Sequence, residues 1–195
     1  MLSPAEVLFQ VVSVLEELNI AYVVVGSFAS AARGIYRATN DVDIIADIQP
    51  DQVQALLDAL QGGFYLDDQA VRRAVASHRS FNAIHFDSTF KVDFFVARSD
   101  EFSGQQLARR ELESLTPDAA RQVYVATAED TLLAKLRWYR RGGEVSERQW
   151  SDVAGIVKVQ GGQLDLVYLR EWADRLGVRD LLERALGGTA DTDKA

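Results

Sequence analysis

The chain has 195 residues, a formal net charge of −8, and a composition that is 48% hydrophobic and 26% charged. That suffices for one well-cored domain or a domain with a small helical appendage, and the acidic balance argues against a general nucleic-acid binder, whose footprint would be basic. The absence of cysteine excludes a disulfide framework, a thiol nucleophile and a thiolate zinc site.

Ser3, Pro4 and Glu6 spell a helix start, with serine as cap, proline in the first turn and glutamate three residues on. Val7, Leu8, Val11, Val14, Leu15 and Leu18 then recur at helical spacing as far as Asn19. Ala21 to Val25 is a β-branched run read as a buried strand, stopped by Gly26-Ser27. A short helix over Phe28 to Arg33, ended by Gly34, leads to a second strand over Val42 to Ile48. Pro50-Asp51 opens a helix that carries Val53, Leu56, Leu57 and Leu60 on one face and closes at Gly62-Gly63. Residues 67 to 77 form a weakly patterned helix capped at Asp67-Asp68.

Ser80 to Phe86 and Phe90 to Val96 read as a hairpin turned at Asp87-Ser88. A helix over Ser99 to Arg109 follows, then two short edge strands, Leu112 to Leu115 and Gln122 to Val125, around the turn Thr116-Pro117-Asp118. From there the pattern is helical throughout. Thr127 caps a helix lined by Leu132, Leu133, Leu136 and Tyr139, and Ser146 caps one with Trp150, Val153, Ile156 and Val157 inward. Two more helices cover about 165 to 176 and 178 to 186. The expected fold is α/β (α+β), a short mixed sheet with flanking helices, followed by a C-terminal helical bundle. The domain reading is 1–125 for the α/β part, 126–188 for the helical region, and 189–195 for a disordered tail.

No run of 18 apolar residues occurs, so no membrane partner is expected. Met1 to Glu6 lacks a basic n-region, so the expected location is the cytoplasm.

The densest polar constellation runs from Gly26-Ser27 through Arg37 and Thr39 to Asp41 and Asp43. Asp41 and Asp43 are two apart on an extended segment and therefore share a face, while Val42 and Ile44 point the other way. Two carboxylates on one face repel unless a cation lies between them, and oxygen donors suit Mg²⁺ or Mn²⁺. Asp93 is the lone acid in the apolar strand Phe90-Lys91-Val92-Asp93-Phe94-Phe95. If that strand pairs beside the first, three carboxylates converge, a donor set able to hold two metals about 4 Å apart for an in-line phosphoryl displacement. Gly26-Ser27, between strand and helix, offers close backbone approach, a hydroxyl and free amides to phosphate.

Two stretches, VVGSFASAARGIYRATNDVDI (residues 24–44) and KVDFF (residues 91–95), resemble the nucleotidyltransferase superfamily, the fold of polymerase-beta-like enzymes. The helical remainder is similar to bacterial minimal enzymes around the AbiEii-type toxins and the lincosamide or aminoglycoside nucleotidyltransferases. In that branch an arginine and a hydroxyl residue precede Asp-x-Asp, matched by Arg37 and Thr39, and a helical lysine is matched by Lys135. A later R-x-x-x-D-[IV] element is matched by Arg148 to Asp152-Val153, with Gln149-Trp150-Ser151 departing from the charged pair usual there.

The resemblance implies that Gly26, Ser27, Arg37, Thr39 and Lys135 bind the nucleotide, Asp41 and Asp43 bind both metals, and Asp93 binds the catalytic metal and helps activate the acceptor hydroxyl. Asp152 would orient Lys135 or the acceptor. The implied reaction moves a nucleoside monophosphate from a triphosphate such as ATP to a tRNA, a protein or a small molecule. A toxin paired with an antitoxin protein is one biological setting for it. A non-catalytic nucleotide- or partner-binding module is the alternative, and a metal-dependent phosphohydrolase a third.

Simpler readings stand beside these. Lys135 and Arg137 suit the solvated side of a helix, Asp152 a surface acid, and Arg37 a salt-bridge partner of Asp41. His78 and His85 lack ligand spacing, and Trp138, Trp150 and Trp172 sit at helical core positions. The basic run Lys135, Arg137, Arg140, Arg141 and Arg148 favours an anionic partner.

Overall fold

The computed structural model describes residues 2–33, 41–97, 100–114 and 121–188. The chain divides into two compact units, one of Met1–Phe28 with Ala38–Ala126 and one of Ala29–Arg37 with Thr127–Ala195.

The first unit opens on α1 (Pro4–Glu17), where the capping box forms as the spacing predicts. The Ser3 amide donates to Glu6 Oε2 at 2.6 Å, and the Glu6 amide donates to Ser3 Oγ at 3.3 Å. β1 (Tyr22–Val25) leads without a break into α2 (Gly26–Arg33), two residues earlier than the predicted helix start, and from Ala29 onward α2 belongs to the second unit. β2 (Asp41–Ala46) follows, then a 3₁₀ turn at Pro50–Gln52 and α3 (Val53–Leu60). Next come β3 (Phe64–Tyr65), α4 (Asp68–Ser77), and the hairpin of β4 (Ser80–His85) and β5 (Lys91–Val96). α5 (Glu101–Ala108), β6 (Glu111–Ser114) and β7 (Gln122–Val125) complete the unit.

Among the described residues the strands form one seven-stranded sheet ordered β3-β4-β5-β2-β1-β7-β6. β2 runs parallel to β5, and β1 parallel to β7, while the remaining neighbours are antiparallel. The sheet is thus mixed, as expected, and α1, α3 and α4 pack together beside it. Val23 and Val24 are both fully buried, as befits a central strand covered on both faces. Phe81 and Phe94 stack across the hairpin with ring centroids 4.7 Å apart.

Two local readings need correction, and one strand is additional to them. Gln122–Val125 is not an edge strand: β7 lies between β1 and β6, and the Ala126 amide donates to the Val24 carbonyl at 3.0 Å. β3 was not foreseen, because two residues after Gly62-Gly63 are too few to show an alternation. Trp138 is not a core residue. It is 52% exposed, with the Arg141 guanidinium 5.6 Å from its ring centroid.

α4 carries a testable cap. The Asp67 side chain accepts from the Ala70 amide at 2.9 Å, satisfying one of the helix's orphan donors. Asp67→Ala is expected to lower stability by about 1 kcal/mol with no change in the slope of a urea melt. At the other end His78 takes the left-handed C-cap position, and its Nδ1 lies 2.8 Å from the Ala97 carbonyl.

The second unit is helical. It contains α6 (Ala128–Arg141), α7 (Glu147–Gln160), α8 (Leu166–Leu176) and α9 (Arg179–Gly188). α6 packs on α7 and α8, and α9 closes on α7 and α8 around Leu132, Leu133, Leu136, Ile156, Leu169 and Leu182, all fully buried. Thr127 and Ser146 cap their helices as predicted, accepting from Asp130 and Gln149 amides. Trp172 is buried, whereas Trp150 is half-buried between the Tyr139 ring at 5.3 Å and the Arg184 guanidinium at 4.1 Å. No helix among the described residues is long and apolar enough to cross a membrane.

Candidate active site

The site begins with strand alternation. Along β2, Val42 and Ile44 are fully buried on one face, and Asp41 and Asp43 stand half-buried on the other. β5 repeats the scheme, with Val92 and Phe94 buried and Lys91 and Asp93 half-buried opposite. Because the side-chain period of a strand is two, each pair shares a face. The parallel register then sets Asp41 beside Lys91 and Asp43 beside Asp93. Four charged residues, three acids and one lysine, therefore form a block on one patch of sheet. The condition placed on Asp93, that its strand lie next to the Asp41–Asp43 strand, is met.

β1 lies on the other flank of β2, with Val25 in register with Asp43. The next residue, Gly26, has φ of +66° and opens α2. A Cβ built on Gly26 would stand 1.9 Å from Asp43 Oδ2 and 2.8 Å from its Cγ. Only a residue without a side chain lets the Asp43 carboxylate pass so close to the start of α2. Ser27, the second residue of that helix, is half-buried. Strand order alone thus brings Gly26-Ser27 to the acids.

Lys91 joins the three acids on this face. Its Nζ lies 2.6 Å from Asp93 Oδ2, with the two side chains 40% and 21% exposed. The ammonium's hydrogen bond to Asp93 raises the lysine's pKa, against an opposing desolvation effect, and the charges of Asp93, Asp41 and Asp43 raise it further. The available signal was the i, i+2 spacing of Lys91 and Asp93, which shares a strand face as surely as Asp41 and Asp43 do.

Among the described residues no three histidine, aspartate or glutamate side chains close into a ready metal cage. The donor chemistry still suits a hard divalent cation, since Asp41, Asp43 and Asp93 offer only carboxylate oxygen. A cation also already stands in the field of all three, in the form of the Lys91 ammonium. Arg37 and Thr39 lie outside the described residues.

Within the helical unit, Lys135 on α6 and Asp152 on α7 form an ion pair at 2.6 Å, with side chains only 12% and 16% exposed. Neither is a freely solvated surface charge, so the simpler readings of both lose ground. His85 is buried, with its Nδ1 2.9 Å from Ser88 Oγ, a structural arrangement like that of His78.

No protein-family model matches this sequence, and no curated protein does. Solved structures do match in fold. An antigenic nucleotidyltransferase-like protein from Paracoccidioides brasiliensis superposes with a TM-score of 0.58 at 19% identity, covering 95% of this chain and 94% of the other. The lincosamide antibiotic adenylyltransferase LnuA, in its lincomycin-bound form, gives a TM-score of 0.52 at 13% identity over 78% of this chain and 95% of its own. The antibiotic-resistance factor ANT(2'')-Ia, in complex with adenylyl-2''-tobramycin, gives 0.52 at 16% identity over 87% and 96%. With the mixed sheet, the Gly-Ser start of α2 and the aspartates of β2 and β5 in place, the fold of this chain is that of the nucleotidyltransferase superfamily.

Proposed function

We propose that this protein is a metal-dependent nucleotidyltransferase that moves a nucleoside monophosphate from a triphosphate to an acceptor hydroxyl and releases pyrophosphate. The observation that carries the reading is the register of β2 on β5, which sets Asp43 beside Asp93 with Asp41 on the same face. The close approach of Gly26 to Asp43 adds to it. Asp41, Asp43 and Asp93 would hold Mg²⁺ or Mn²⁺, which when bound neutralises phosphate charge and aligns the oxygens of an in-line displacement.

The remaining chemistry belongs to the chain. Ser27 and the first-turn amides of α2 receive triphosphate oxygens. Asp93 accepts the proton of the acceptor hydroxyl as the new P–O bond forms and the bond to the pyrophosphate oxygen breaks. Arg37 and Thr39 are assigned to the nucleotide on the resemblance alone.

Lys135 is assigned to the triphosphate on the resemblance alone, and Asp152, which pairs with it at 2.6 Å, would hold its ammonium in place. Lys135→Met is expected to raise the KM for the triphosphate about tenfold, with a smaller loss in kcat. Asp152→Asn should move KM in the same direction by less, because the lysine remains but is no longer anchored. Steady-state kinetics at varied triphosphate separates the two. Unchanged KM in Lys135→Met would return that lysine to a purely structural role.

Two of the similar structures hold an antibiotic or an adenylylated antibiotic. That supports a small-molecule hydroxyl as the acceptor ahead of a tRNA end or a protein side chain. The test is a screen of the four labelled triphosphates with Mg²⁺ against small-molecule hydroxyl acceptors, total RNA and cell protein. Label on a small molecule supports a resistance-type enzyme, and label on RNA or protein supports the toxin reading with its antitoxin partner. Nucleotide binding that ignores a chelator, with no transfer to any acceptor, would favour the non-catalytic module.

A further inference from the structure

We infer that Lys91 is a tethered counter-ion for the three carboxylates, occupying the cation position in the metal-free protein and leaving Asp93 when a divalent ion enters. The inference rests on the metal-binding reading above and adds to it a built-in competitor for the metal.

The geometry supplies the ion pair from which the exchange starts. Lys91 and Asp93 share a strand face, and Lys91 is the in-register neighbour of Asp41. Its ammonium is drawn onto Asp93 Oδ2 at 2.6 Å. Without a cation the three carboxylates of this patch would repel one another, and Lys91 supplies the compensating charge. A divalent ion competes with the ammonium for the Asp93 oxygen, and two divalent ions would outweigh the three carboxylate charges, leaving a net positive patch that repels the lysine. The lysine has a flexible four-carbon stem and a side chain 40% exposed, so water is within its reach.

The exchange has two consequences. Metal affinity is set by a competition as well as by the three carboxylates, and the metal-free site keeps its shape. Lys91 is accordingly a positioning residue, acting through Asp93.

Isothermal titration of Mn²⁺ into the full chain tests this. Lys91→Gln removes the charge and keeps a polar stem, and is expected to bind Mn²⁺ about fivefold more tightly than the unsubstituted protein. Lys91→Arg, which keeps the charge, should stay close to the unsubstituted affinity. Without metal, Lys91→Gln should melt at a lower temperature and regain more on adding Mn²⁺.

A second measurement needs no folded variant. The chain has four lysines, so ¹³C-methylated lysine resonances are few, and the Lys91 signal should shift on saturation with Mg²⁺. Equal or weaker Mn²⁺ affinity in Lys91→Gln, or a Lys91 resonance unmoved by Mg²⁺, overturns the inference and leaves the transferase reading standing if the unsubstituted protein binds metal. Failure of both proteins to bind Mn²⁺ overturns the two together.

Discussion

Asp93→Asn is expected to lower nucleotidyl transfer by about a thousandfold or more while leaving the melting temperature nearly unchanged. The substitution keeps size and shape, so β5 retains its packing through Val92 and Phe94, both fully buried on the far face. What is lost is the charge and the basicity of one oxygen. An amide neither takes the acceptor proton nor contributes a negative ligand, and removal of such a group costs about 10³-fold or more when it acts only as the transition state forms.

Asp93 is only 21% exposed, and an amide costs less to bury there than a carboxylate, which offsets the lost ion pair with Lys91, so the fold should tolerate the change. Asp41→Ala should be as damaging, since Asp41 shares the Asp43 face two residues away, beside Lys91. Magnesium-dependent pyrophosphate release, measured beside circular-dichroism melts, checks both. Activity within about tenfold of the unsubstituted protein in either variant would sink the assignment of the carboxylates.

Gly26→Ala carries the second large expectation, this time on both stability and activity. The position has φ of +66°, where a side chain costs about 1–2 kcal/mol. The new Cβ would meet Asp43 Oδ2 at 1.9 Å, Cγ at 2.8 Å and Cβ at 3.1 Å. A shift of the carboxylate tip alone does not relieve contacts that reach back to the aspartate's own Cβ. The whole Asp43 side chain, or the start of α2, has to move.

A displacement of about 1 Å at a reacting group is worth about 100-fold in rate, so activity should fall at least that far. Stability should drop by about 1–3 kcal/mol. Gly104→Ala makes the comparison sharp. Gly104 lies exposed within α5, where an added Cβ meets nothing within 4 Å, and its substitution should stabilise by about 0.5–1 kcal/mol. Denaturant melts of both variants, with pyrophosphate release, would show opposite signs. A Gly26→Ala protein with normal stability and rate would mean that Asp43 does not need its position against α2.

Local pattern was enough for most elements, because local pattern follows from periodicity and caps. The 3.6-residue recurrence of Val7, Leu8, Val11 and Leu15 and the Ser3–Glu6 box made α1 readable before any fold was known. The two-residue alternation around Asp41 and Asp43 placed both acids on one face of β2 for the same reason. That the strand of Asp93 lay beside them could only be stated as a condition.

Only tertiary structure decided the rest. The parallel pairing of β2 with β5, the register of Asp43 on Asp93 and the interior place of β7 are contacts between residues far apart in the chain. They are chosen by which apolar faces bury one another, and one-residue slips would turn every acid inward. β3 escaped notice because two residues carry no period. The pairing of Lys135 with Asp152 likewise required α6 to pack on α7.

Lys91 shows the division most clearly. Its charge and its spacing from Asp93 were in the sequence. Its part as the cation among three carboxylates came into being only when β2 was laid alongside β5, because an electrostatic role depends on what the neighbouring strand presents.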